Sequence, residues 1–231
     1  NQIRWKNAIA IDNTNNKWVG FQQIGLGKYN GSTWTMYDIS NSQLPSNDVR
    51  SIDFDASNNA WIGTNGGGLA KFDGTTWTIY NTGNSGIASN IIYSVSVYGS
   101  NIWIGTNAGV SKYNGTVFTN YTVANSNLSS DTVQAFEFET NGDIWMGTAN
   151  GLCKLSGTNW TIFDTQNSGL RDDNVLSLFR DGQNLWIGTK LGGLHKHFNN
   201  AIANISVMMP TNAFAYPTAV YSISRGPQGG V

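Results

Sequence analysis

Trp61-Ile62-Gly63-Thr64-Asn65-Gly66-Gly67-Gly68-Leu69 decides how this chain folds, because its opening four residues keep returning. Trp18-Val19-Gly20 precedes it. Trp103-Ile104-Gly105-Thr106, Trp145-Met146-Gly147-Thr148 and Trp186-Ile187-Gly188-Thr189 follow. The tryptophans lie 43, 42, 42 and 41 residues apart. A fixed period of this size marks a repeat architecture.

Other marks keep step with the tryptophan. A lysine stands nine or ten residues on, at Lys28, Lys71, Lys112, Lys154 and Lys196. A turn dipeptide follows at Asn30-Gly31, Asp73-Gly74, Asn114-Gly115 and Ser156-Gly157. An aromatic run comes next: Trp34 to Tyr37, Trp77 to Tyr80, Phe118 to Tyr121 and Trp160 to Phe163. An Asn-Ser pair closes the unit at 41–42, 84–85, 125–126 and 167–168.

Each unit reads as four short strands, A to D. In the second unit they are 50–55, 60–64, 68–72 and 76–80. The runs are rich in β-branched and aromatic residues and are separated by Gly, Asn and Asp. Asp73-Gly74 between the last two is a tight-hairpin signal, because such turns need residues that tolerate positive φ. Four strands per repeat of about 42 residues, apolar on both faces, specify an all-β fold, a β-propeller of four-stranded antiparallel blades. The expected repeats are 5–47, 48–89, 90–131, 132–173 and 174–217. A partial unit, 218–231, matches the inner strand of earlier units through Thr218 to Ser224. Five blades and a sixth inner strand are thus expected to be part of a larger propeller, of six to eight blades; the rival is a single five-blade ring over 1–231 whose last segment overlaps or replaces the first strand. The fifth unit departs from the pattern, with Ile202 and Ile205 where the aromatic run should stand.

Composition narrows the function. The 231 residues include 30 Asn, 27 Gly and 9 Trp, so turns are abundant and the chain can still bury a core. Thirteen basic and 14 acidic side chains give a net charge of −1, which argues against a nucleic-acid-binding surface. No apolar run reaches the ~18 residues of a membrane-spanning helix. One cysteine, Cys153, allows neither an internal disulfide nor a cysteine-based zinc cage. The chain does not begin with Met, and is read as a mature or truncated piece of something longer.

The residues Trp61 to Leu69 and Asn84-Ser85-Gly86-Ile87-Ala88-Ser89-Asn90 resemble the two-component regulator propeller repeat, over residues 5 to about 200. That resemblance implies a bacterial β-propeller. In the family such repeats form periplasmic sensor heads of hybrid two-component systems, many responding to glycan fragments. Similar repeats occur in secreted and surface proteins of gliding and gut bacteria. The aromatic run of strand D and the Asn-rich turns look more like this second group. The resemblance therefore implies an extracellular or cell-surface location first and a periplasmic one second. It implies a glycan or a cell-envelope protein as partner.

Repetition separates scaffold from site. What every blade shares must serve the blade, and what varies at one position is free to serve a ligand. Trp18, Trp61, Trp103, Trp145 and Trp186 are therefore expected in the core between blades, and the lysines beside them as snorkelling or inter-blade partners. The D–A and B–C connections share one face. The varying residues there are Asn7, Arg50, Tyr93, Gln134, Leu176 and Tyr221 at the mouth of strand A. In the B–C connections they are Gln22, Gln23, Asn65, Asn107, Asn150 and Lys190, with Arg171 in a D–A connection. Amides and Arg supply directed hydrogen bonds and Tyr a stacking face, which suits a neutral or acidic polar ligand such as an oligosaccharide.

Catalytic and cofactor signals are thin. His195 and His197 alternate on one strand, without a third metal ligand in sequence, and read as surface or inter-blade residues. Asp12-Asn13-Thr14-Asn15-Asn16 and Asp55-Ala56-Ser57-Asn58-Asn59 faintly resemble calcium loops but lack the closing Glu, and turn chemistry explains them. No nucleophile elbow, phosphate loop or dinucleotide fingerprint occurs, so no cofactor or metal is expected. The leading expectation is a non-catalytic binding module. A periplasmic sensor domain is the alternative. A propeller-fold polysaccharide lyase stands third, and would need Tyr93, Arg50 and His195 to act together.

Overall fold

A computed structural model describes residues 8–199, 201–205 and 219–223. Among these every element is a strand. Blade 1 holds β1 (Ala8–Ile11), β2 (Lys17–Phe21), β3 (Gly25–Tyr29) and β4 (Trp34–Tyr37). Blade 2 holds β5 (Val49–Phe54), β6 (Ala60–Thr64), β7 (Leu69–Phe72) and β8 (Trp77–Tyr80). Blade 3 holds β9 (Ile92–Tyr98), β10 (Asn101–Thr106), β11 (Gly109–Tyr113) and β12 (Phe118–Tyr121). Blade 4 holds β13 (Val133–Phe138), β14 (Ile144–Thr148), β15 (Gly151–Ser156) and β16 (Asn159–Phe163). Blade 5 holds β17 (Val175–Asp181), β18 (Asn184–Thr189), β19 (Leu194–Phe198) and β20 (Ala201–Asn204). Each is a four-stranded meander with antiparallel neighbours. The chain divides into two compact units, Asn1–Tyr121 with blades 1 to 3 and Thr122–Val231 with blades 4 and 5.

The motif builds each blade in three ways. Its Trp lies directly across from the repeated Lys, as in Trp18 opposite Lys28 and Trp145 opposite Lys154. Every lysine nitrogen sits 5.0–5.5 Å from the ring centre of its own Trp. The lysines thus act as cation–π lids within a blade. The last strand adds a ring: Tyr37, Tyr80, Tyr121 and Phe163 meet Trp18, Trp61, Trp103 and Trp145 at 6.0, 5.9, 6.1 and 5.5 Å. Finally, the motif Gly lets the next inner strand approach. A Cβ on Gly20 would stand 2.5 Å from Val49 Cγ1, one on Gly63 2.5 Å from Ile92 Cγ2, and one on Gly147 2.8 Å from Val175 Cγ1.

The acidic turns between the first two strands are explained by the indoles. Asp12 and Asp55 accept the Nε1–H of Trp18 and Trp61 at 2.9 Å each, and Glu139 accepts that of Trp145 at 2.6 Å. Asp12 Oδ1 also accepts the backbone N–H of Thr14 and of Asn16. These carboxylates are turn and indole acceptors, which accounts for their calcium-loop look. The Asn-Ser pairs are structural too. Asn41, Asn84 and Asn167 each accept a backbone N–H of their own connection and donate to a carbonyl of the strand before it.

One expectation needs correction. Trp18, Trp61, Trp103 and Trp145 are buried, but Trp186 is only half-buried. Six residues before it stands Arg180 rather than an acid, and the Trp186 Nε1 has no hydrogen-bond partner among the described residues.

Candidate functional site

The varying residues at the mouth of the inner strands share a backbone device. Val49 pairs with Thr64 and Ser51 with Gly63, so Arg50 is an extra, unpaired residue. Tyr93 stands likewise between Ile92 and Ser94, Gln134 between Val133 and Ala135, and Leu176 between Val175 and Ser177. Each is a β-bulge, which frees a residue from the ladder and re-aims its side chain. In sequence it shows only as a three-residue step between same-face apolar residues, as from Val49 to Ile52, where alternation gives two.

In the first unit the bulges bring Arg50 and Tyr93 together. The guanidinium lies 5.3 Å from the Tyr93 ring centre. Asp48 sits 3.7 Å from Arg50 Nη2 and accepts the Asn65 side-chain amide at 2.8 Å. Ser46 Oγ donates to the Asn65 carbonyl at 3.0 Å. The next junction repeats the link with other residues, Ser89 Oγ donating to Asn107 Oδ1 at 2.6 Å. Arg50, Tyr93 and Asn65 are half-buried, and Asn107 is exposed. Gln22 and Gln23 are exposed on the β2–β3 hairpin, Gln23 with φ 66°. Asn7 lies outside the described residues.

In the second unit Gln134 Nε2 donates to Asn174 Oδ1 at 2.8 Å and to the Val175 carbonyl at 3.2 Å. Asn150 Nδ2 donates to the Ser129 carbonyl at 3.4 Å. Lys190 and Arg171 are exposed, and the Lys190 backbone N–H holds the Asn174 carbonyl at 2.9 Å. Leu176 and Tyr221 are half-buried. Asp48 and Asn174, which organise both clusters, were not among the expected residues. Their signal was there: the position two before the bulge reads Asp48, Ile91, Thr132 and Asn174, and varies as much as the bulge itself.

The histidines serve the blade. His195 is fully buried, and its Nε2 accepts the Arg171 backbone N–H at 3.1 Å and lies 2.9 Å from the Asn204 amide nitrogen. The same place on other blades holds Cys153, whose sulfur accepts the Ser129 N–H at 3.3 Å, and Ser111, whose hydroxyl accepts the Ala88 N–H at 2.9 Å. In blade 2 the place holds Ala70, and the matching connection residue is Pro45, which has no N–H to offer. Donor and acceptor appear or vanish together. Burial pushes the His195 pKa down, although the Ile187 backbone opposes it. Burial and then Lys154 push His197 down, and its ring lies 4.8 Å from Trp145 and 5.9 Å from Phe163. Burial likewise pushes the Cys153 thiol up. None of these groups is placed as an exposed base, nucleophile or metal ligand. Among the described residues no cluster of three His, Cys, Asp or Glu could hold a metal.

The two component regulator propeller family matches at residues 43–66 and 169–190, in both cases a D–A connection with the two strands after it. The chain carries two component regulator propeller repeats. It is similar to the extracellular domain of a hybrid two component system from B. thetaiotaomicron, with 20% identity and a TM-score of 0.79 over 98% of this chain. It spans 31% of that chain. It is also similar to PorZ, a surface component of the type-IX secretion system of Porphyromonas gingivalis, with 22% identity and a TM-score of 0.64. That match covers 81% of this chain and 31% of PorZ. A streptogramin B lyase shares the fold at 15% identity and a TM-score of 0.69, covering 96% of this chain and 73% of the lyase. Likeness at these identities shows the propeller fold. A comparison with curated proteins finds no sequence match. No described helix is long and apolar enough to cross a membrane.

Proposed function

We propose that this chain is a non-catalytic binding module outside the cytoplasm, at the cell surface or in the periplasm. It takes a polar partner, a glycan or a cell-envelope protein, on the face of the D–A and B–C connections. The Arg50–Tyr93 pair carries the reading. Two consecutive bulges present a guanidinium and a phenol side by side, and Asp48 and Asn65 hold the loops beneath them. Arginine gives a forked donor and tyrosine an aromatic face, while the neighbouring amides donate and accept. The Arg50→Ala, Tyr93→Ala double variant should abolish retention of cell-envelope glycans and proteins on the immobilised chain, with little change in Tm. Undiminished retention would overturn this site.

A sensor role is the second reading, supported by the likeness to the extracellular domain of a hybrid two component system. A lyase role has support from the streptogramin B lyase fold alone, since His195 is committed to Arg171 and Asn204.

We also propose that residues 218–231 open a further blade. Val220 meets Gly188 as Val49, Ile92 and Val175 meet Gly20, Gly63 and Gly147. Its carbonyl accepts Ser177 Oγ at 2.8 Å. Val220→Asp should therefore destabilise the second unit. Unchanged unfolding would refute the assignment.

A further inference from the structure

Away from the inner strands, an open cleft of about 620 Å³ lies in the first unit. Tyr37, the connection residues Ser40 to Gln43, and Phe72, Gly74, Thr75 and Trp77 of the β7–β8 hairpin line it. Its aromatic wall is fixed. Trp77 stacks on Phe72 at 4.4 Å and 19°, and meets Tyr37 edge-on at 5.8 Å and 65°.

The next junction of the same unit shows why the cleft exists. Tyr80, Tyr113 and Phe118 rebuild the wall there, with Phe118 stacked on Tyr113 at 4.5 Å. But the connection is fastened down on it. A Cβ on Gly86 would stand 3.3 Å from Phe118 Cβ, and Asn120 Nδ2 donates to the Gly86 carbonyl at 2.9 Å. In the second unit Gly169 lies so close to β20 that a Cβ would collide with the Ile202 carbonyl. At the cleft, Gln43 takes the place of Gly86 and Ile79 that of Asn120. A glutamine side chain does not fit that gap, and isoleucine has no donor. Gln43 and Ile79 leave this junction open, and the third connection and blade 4 carry the same kind of pair, Asn127 and Ile162.

The lining limits what enters. It contains no carboxylate, amine or guanidinium, and burial pushes the one phenol, Tyr37, further toward neutrality. An ion finds no counter-charge. Asn41 and Ser42 spend their polar atoms on Asp38 and Met36 and form a fixed rim. Gln43 is exposed and offers an amide donor and acceptor beside the indole. A flat apolar face next to a neutral forked amide matches a pyranose ring, with one C–H face on Trp77 and vicinal hydroxyls on Gln43.

We propose that this cleft is a binding subsite for a neutral sugar ring of a glycan chain. It is separate from the Arg50–Tyr93 face and does not depend on it. Saturation-transfer NMR with cellopentaose and laminaripentaose tests it on the whole 231-residue chain. Saturation should reach the ring C–H protons of at least one pentaose. Gln43→Gly, which restores the residue of the closed junctions, should weaken that binding at least tenfold with Tm unchanged. Trp77→Phe, a smaller platform, should weaken it less. The proposal fails if neither pentaose binds, or if Gln43→Gly binds like the parent. It also fails if binding survives Gln43→Gly but vanishes in the Arg50→Ala, Tyr93→Ala variant, which places the sugar on the loop face. Displacement of the pentaose by a proline-rich peptide at lower concentration would make the cleft a peptide site and overturn the assignment.

Discussion

Trp145 and Trp186 hold the same place in consecutive blades of one unit, yet their surroundings differ. Trp145 is 1% exposed, gives its indole N–H to Glu139, carries Lys154 over its ring, and touches Phe163 of its own blade and His197 of the next. Of these partners, Trp186 keeps among the described residues only the lysine, Lys196. Its indole acceptor is replaced by Arg180, which turns back to Glu139 at 3.1 Å, and its strand-D ring is replaced by Ile205. A repeated residue takes its position and its indole acceptor from its own blade, but its burial depends also on the next blade. Trp18 and Trp61 agree: Phe54 and Phe72 of blade 2 cover the first, and Tyr113 of blade 3 covers the second.

The largest effect that could break this contrast is truncation. Trp145→Ala should cost ~3–5 kcal/mol, as for other large aromatics removed from a packed core. Trp186→Ala should cost less, because the indole is more exposed than Trp145 and lacks a strand-D ring. Urea midpoints at a common slope measure both. Equal losses would mean that the lysine lid, and not the neighbouring blade, holds these tryptophans.

Smaller is the effect of Glu139→Gln. Glu139 accepts the Trp145 indole and lies 3.1 Å from Arg180 and 3.5 Å from Lys154. Removing its charge strands Arg180, and a lost partner of a charged group typically costs about 1–3 kcal/mol. The Trp186 emission should stay as it is, since no carboxylate serves that ring.

Acid should separate the two rings more gently. Burial pushes the Glu139 pKa up, but the Trp145 indole N–H, Lys154 and Arg180 outweigh it and hold the carboxyl below its ordinary value. Such a group stabilises the fold fully above that ordinary value, and the contribution is lost as pH falls through the lower, folded value. Asp12 and Asp55, held down by their own indole and asparagine bonds against burial, add to the trend. Fluorescence of single-tryptophan variants should show the Trp145 environment loosening below about pH 4, the range of carboxyl titration, with Trp186 unchanged over the same range.

The blades were legible because their marks recur. The second unit's four strands were placed within a residue or so of β5 to β8, since turn glycines and asparagines punctuate them. The bulges left one mark, a three-residue step from Val49 to Ile52 where alternation gives two, and a single uneven step in a six-residue strand is too short a signal to stand out. The partners of Arg50 and Gln134 were missed for a related reason. Asp48 and Asn174 stand in connections, where local hydrogen bonding rather than periodicity fixes the chain. The exposure of Trp186 could not be read from its own motif, which is intact. What sets it apart is the strand-D sequence, Ile202 and Ile205 in place of aromatic rings; the lack of an acid six residues earlier is shared with the buried Trp103, which is preceded there by Val97.

The smallest expected effect asks which missing neighbour exposes Trp186. Ile205 stands where Tyr37, Tyr80, Tyr121 and Phe163 stand, since its N–H bonds the Leu194 carbonyl, and Leu194 matches Leu152 opposite Phe163. Ile205→Tyr therefore returns one ring to Trp186 and leaves the next blade's contribution absent. An aromatic pair is worth ~0.5–1.5 kcal/mol beyond its area. A gain in that range, with a blue shift of Trp186 emission, would show that the strand-D ring suffices to house the indole. No gain would mean that the rings of the following blade hold the motif tryptophan, as Phe54 and Phe72 hold Trp18.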